Sequence, residues 1–204
     1  MTKTTMLGVA IATALMCSAA GTWAQGTQSA RGAQSGQGMQ AAQSKPDKAA
    51  QAFITKAVQG NLAEVQMGQL AQQQGSSDQV KNFGQQLVSD HTSANQKATS
   101  VAGQLGVTPP NEPNKKQKSD YDKMSKMSGA AFDRQFAKMM VADHKKDIAE
   151  YKKASKMKND AVAGYATDSL PVLEKHLQIA QGLTKSAGKG GARSGTGAGS
   201  RPAM

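Results

Sequence analysis

The sequence predicts an all-α protein: a four-helix bundle built as two helical hairpins, joined by a crossover that carries a short extra helix. Three observations predict it. Aromatic residues make up only 4% of the chain, while Ala, Gln, Lys and Met, all good helix formers, are abundant. Apolar residues recur every three or four positions in four long segments, which is the period of one helix face. A weak internal repeat then pairs the segments. AFITKAVQGNLAEV aligns without a gap with AFDRQFAKMMVADH, and VKNFG resembles VAGYA, each of the latter being followed by a histidine.

The N-terminal residues read as an export signal. Lys3 precedes an apolar run from Met6 to Ala20, and Thr22-Trp23-Ala24 offers a cut before Gln25. The run falls short of the roughly 20 apolar residues a membrane span needs, and the rest of the chain has no long apolar stretch. Residues 1–24 are therefore expected to be a cleaved signal peptide, and the mature protein to be periplasmic or secreted. The single cysteine, Cys17, lies inside this signal, so the mature chain has no thiol for a disulfide or a zinc-thiolate site. Residues 25–44 and 187–204 are Gly/Ser-rich and cannot bury enough apolar surface to offset the cost of ordering, so they are expected to be disordered. The bundle occupies residues 45–186.

Within it the first helix is expected from about Pro46 to Gln74 and stops at Gly75. The second runs from about Ser77 to Leu105 and stops at Gly106. The proline-rich stretch Thr108–Pro113 breaks the pattern, and a short helix follows from about Lys115 to Met127. The third long helix covers about Ser128 to Met157. The fourth starts at Asn159-Asp160, a good cap, and ends near Ser186. Pro171 should bend it. A helix of about 28 residues is about 42 Å long. The connection from Gly106 to Ser128 can span that length, so the second and third helices are expected to be parallel, with His91 and His144 at similar depth.

The chain has three histidines. Each sits in an apolar stripe of a different helix. His91 continues Val80, Phe83 and Leu87. His144 continues Phe132, Phe136 and Met140. His176 continues Val162, Tyr165 and Leu173. The first helix puts Glu64 in the equivalent row, after Phe53, Ala57 and Gly60.

At these residues the chain resembles a bacterial exported family, the domain of unknown function DUF4142. The matching text is AFITKAVQGNLAEVQMGQLA, VKNFGQQLVSDH, GAAFDRQFAKMMVADH and LPVLEKHLQIAQGL. The resemblance covers nearly the whole bundle and neither tail. It implies a ferritin-like four-helix fold and an envelope location, and it implies no established activity. A ferritin-type di-iron centre would carry Glu-x-x-His on two helices. Here Val88, Val141 and Leu173 stand three residues before the histidines, so that pattern is absent.

Two functional readings follow. In one, Glu64, His91, His144 and His176, helped by Asp90, Asp143 or Asp147, hold a transition metal such as iron, zinc or copper, since imidazole with carboxylate suits these ions. In the other, the same residues form a buried polar network in which each histidine bonds a carboxylate, with Glu64 opposite His91. The protein is then a non-catalytic envelope or stress-related bundle. There is no nucleophile-base-acid set and no phosphate-binding loop, so the sequence does not support an enzyme. The net charge is +11. With Lys138, Lys145, Lys152 and Lys156 on one face, this charge suits contact with anionic envelope surfaces. Export and the lack of basic patches interleaved with aromatics argue against nucleic acid.

Overall fold

A computed structural model describes residues 47–191. The expected signal peptide, the linker and residues 192–204 lie outside the described residues. Five helices and no strand occur among those described: α1 (Lys48–Gln74), α2 (Asp78–Gln104), α3 (Lys115–Met124), α4 (Gly129–Ala154) and α5 (Asp160–Gly191). Their ends follow local chemistry. The Asp47 carboxylate accepts from the amides of Ala49 and Ala50, and Asn159 accepts from that of Val162. Asn114 and Gln117 form a reciprocal capping box at the start of α3. Helix α2 ends in a Schellman turn, in which Val107 N–H donates to the Ala102 carbonyl and Gly106 N–H to that of Gly103. Gly106 has φ +66° there, a conformation that suits glycine. Three helix ends differ from expectation. Helix α3 stops at Met124, three residues short of Met127. Helix α4 stops at Ala154, three residues short of Met157, and α5 continues past Ser186 to Gly191. Helix α5 also runs unbroken through Pro171.

Helices α1 and α2 pack as one hairpin and α4 and α5 as the other; across the bundle α2 meets α5 and α1 meets α4. The backbones of the first hairpin touch at a glycine pair. A Cβ on either Gly68 or Gly84 would sit 2.6 Å from the carbonyl oxygen of the other. The two ends of the bundle give the chain direction. Near one end, Asp133, close to the start of α4, accepts from the Ser76 amide (2.9 Å), the Ser76 hydroxyl (2.7 Å) and the Ser77 amide (3.0 Å), at the α1–α2 turn. At the other end, the Gln51 side chain donates to the Leu105 carbonyl. Helices α2 and α4 therefore start at the same end and run in the same direction. The connection between them returns along the bundle, and its helix α3 lies against α1 and α4.

This path explains the core. One apolar cluster joins Phe53, Ile54 and Val58 of α1 to Val101, Ile148, Tyr151, Val162 and Tyr165. A second joins Met67 and Leu70 to Phe83, Leu87, Phe132, Phe136 and Met140. The buried polar and charged residues are Asn61, Glu64, His91, His144 and His176. In α1, Asn61 and Glu64 lie between the residues of the two clusters, so the core is two apolar halves with a polar layer between them. Among the described residues, no helix is long and apolar enough to cross a membrane.

Candidate metal centre

Each histidine enters the polar layer because its helix stripe points inward at mid-height. The parallel course of α2 and α4 brings His91 and His144 level, and α5 adds His176. Ring centroids are 6.0 Å apart for His91–His144 and 5.3 Å for each of the other two pairs. One ring nitrogen from each of the three histidines lies within 4.8 Å of the others. Among the described residues no other group of three histidine or acidic side chains gathers this closely.

The remaining ring nitrogens fix the tautomers. His91 Nδ1 is 3.0 Å from Asn61 Oδ1, an amide oxygen that accepts. His144 Nδ1 is 2.9 Å from the Met140 carbonyl. His176 Nε2 is 2.9 Å from Asp90 Oδ2. In each case the ring donates outward, so a neutral imidazole keeps its lone pair on the other nitrogen. Those lone pairs are on His91 Nε2, His144 Nε2 and His176 Nδ1. His91 Nε2 is buried and has no hydrogen-bond partner. His144 Nε2 and His176 Nδ1 face each other at 3.3 Å.

The rings are held neutral. Burial pushes His91 well below the usual imidazole pKa, and His144 and His176 beside it push the same way. Burial, with His176 adding to it, takes His144 down to about 4. Burial also lowers His176, against the opposing pull of Asp90.

The acidic candidates divide. Asp90 stands behind His176 as its hydrogen-bond acceptor. Glu64, Asp143 and Asp147 line a separate cavity of about 360 Å³ between α1 and α4, beneath α3. Burial, then the charges of Asp143 and Asp147, hold Glu64 well above the usual carboxylate range. Burial, then Asp143, raises Asp147 to about 7. Asp143 is raised chiefly by burial, with Lys116 opposing. The expected Glu64–His91 hydrogen bond is not formed. Asn61, one turn earlier on α1, takes His91 instead, and Glu64 Oε2 is left buried without a partner.

Sequence reasoning missed Asn61 and the tyrosines behind it. The Asn61 amide donates to Tyr165 Oη (3.0 Å), which is 3.2 Å from Tyr151 Oη. A chain of polar groups thus leads from His91 into the first apolar cluster. The available signal was that Asn61 shares a helix face with Glu64 and Ala57, where a neutral amide on an inward row needs a polar partner.

Chemically, three convergent imidazole lone pairs, each ring anchored through its far nitrogen, form a donor set for a borderline transition-metal ion. The 3.3 Å between His144 and His176 is about the edge of a tetrahedron whose metal–nitrogen bonds are about 2.0–2.1 Å. Comparisons with curated proteins and with solved structures give no match. The family described as "Domain of unknown function (DUF4142)" matches residues 35–183, a span that takes in all three histidines and the carboxylates around them, and the chain belongs to that family.

Proposed function

We propose that this protein is an exported helical bundle that binds one transition-metal ion through His91, His144 and His176, with Asp90, Asn61 and the Met140 carbonyl orienting the rings. The observation that carries the reading is the His144–His176 contact, where two lone pairs meet at 3.3 Å inside the protein. Either a proton or a metal ion can relieve that contact. Burial depresses all three imidazole pKa values, which disfavours the proton and leaves the ligands deprotonated as a metal requires. Three imidazoles leave a fourth position open, as in a tetrahedral site that takes a water or a small ligand. Lys3, the apolar run from Met6 to Ala20 and Thr22-Trp23-Ala24, the sequence pattern of an export signal, support a place outside the cytoplasm.

Untagged protein purified from the periplasm would test this by metal analysis and X-ray absorption. About one zinc, copper or iron ion per chain, bound by three imidazole nitrogens, is expected. A metal-free protein whose melting temperature is unchanged by each of these ions would overturn the reading.

A further inference from the structure

We infer that the acidic cavity beneath α3 is a staging site through which a hydrated divalent cation reaches the histidine cluster. The inference rests on the metal reading above and names how that site is loaded. Glu64 is 7% exposed, lines the cavity, and has an oxygen with no partner. A buried carboxylate oxygen without a donor is unfavourable unless a cation, a proton or water meets it. Asp143 and Asp147 line the same space. Lys116 pairs with Asp120 and Lys146 with Glu150, two further carboxylates of the same lining. Lys56 is exposed at the rim. The cavity therefore favours positive charge.

The three carboxylates do not gather closely enough to ligate one bare ion. They suit an ion that keeps its water shell, with the waters donating to Glu64 and Asp147. The way onward is a smaller cavity of about 30 Å³ whose lining includes Gly60, Asn61, Asp147 and His91; it has room for only about one or two waters, so the ion sheds its shell in the larger cavity before it enters. Both cavities share Gly60 and Asp147, so they adjoin there. Gly60 leaves this junction open. A Cβ at that position would meet nothing within 4 Å. A glycine inside a long helix weakens the helix, and no close approach of backbones requires one here.

The test is stopped-flow uptake of cobalt(II) by the metal-free full chain, followed by the cobalt absorption band. Two variants are compared with the wild type: Gly60→Leu, which fills the junction, and the isosteric pair Glu64→Gln with Asp147→Asn. Each is expected to slow loading by about tenfold or more, the scale of electrostatic steering into a cleft, while equilibrium affinity stays within about threefold. The wild-type rate should also fall with added salt more steeply than that of the Gln/Asn pair. Wild-type loading with unchanged rates in both variants overturns the staging site and leaves the metal reading intact. A wild type that takes up no cobalt overturns both. Circular dichroism checks the fold, and if Gly60→Leu does not fold, the Gln/Asn pair decides alone.

Discussion

His144 Nε2 lies 3.3 Å from His176 Nδ1, and the outward hydrogen bonds of the two rings leave neither nitrogen with a hydrogen in the neutral state. The contact joins α4 to α5 within the second hairpin. It is made at the level where α2 delivers His91, so three helices meet at one polar layer.

Asp90 is the only carboxylate hydrogen-bonded to a histidine among the described residues. It selects the His176 tautomer that points Nδ1 inward. Asp90→Asn should lower metal affinity by about 10- to 100-fold, as loss of such a partner does elsewhere. Competition titration against a chromophoric chelator measures it. Unchanged affinity would mean that His176 needs no orienting group.

Asn61→Leu should release His91. Its Nδ1–H loses the Asn61 acceptor, and Tyr165 loses a donor. A buried donor left unpaired costs about 1–3 kcal/mol. Chemical denaturation of the metal-free protein should show a loss in that range, and nitrogen-15 NMR should show His91 changing tautomer. A variant as stable as wild type with the same His91 spectrum would contradict the assigned hydrogen bond.

Asp147 sets a pH dependence of known sign. Its folded pKa is raised from 3.8 to about 7, so between these values the folded chain binds more protons than the unfolded chain. Its stability contribution is therefore lost as pH rises through that window. The metal-free Asp147→Asn variant should exceed wild type by up to about 4 kcal/mol at about pH 8, and the gap should close towards about pH 4. The histidines act in the opposite sense. With folded values below 6.5, and about 4 for His144, they cost stability as pH falls through that range. Removing Asp147 should thus leave a steeper acid limb. Denaturant midpoints across pH provide the check, and a constant gap at all pH values would contradict the assignment.

The glycine pair gives a packing test. A Cβ at Gly84 would lie 2.6 Å from the Gly68 carbonyl oxygen and 2.9 Å from the Ala71 Cβ, so α1 and α2 would have to separate. Gly84→Ala should cost about 1–3 kcal/mol. Gly164→Ala, where the new methyl meets nothing within 4 Å, should instead gain up to about 1 kcal/mol from helix propensity. Thermal melts of the two variants should move in opposite directions.

Much of this protein was legible in its sequence because helices announce themselves locally. The three-to-four-residue period, the cap at Asn159, and the stop at Gly106 depend on near neighbours alone. They located all five helices, with errors confined to the ends of α3, α4 and α5. The same period put Glu64, His91, His144 and His176 on inward faces, and all four are buried. Tertiary structure decided which of them meet. Inward direction is a property of one helix, but height and partner depend on how helices slide and rotate against each other. The Gly68–Gly84 contact and the Asp133 link to Ser76 and Ser77 fix that register. It sets Asn61 rather than Glu64 against His91, reaches Asp90 across to His176 from 86 residues away, and turns Glu64 towards Asp143 and Asp147. A shift of one turn, about 5.4 Å, exchanges Asn61 for Glu64 opposite His91. Periodicity cannot tell those two arrangements apart, because both keep every apolar residue inside; only the packed helices do.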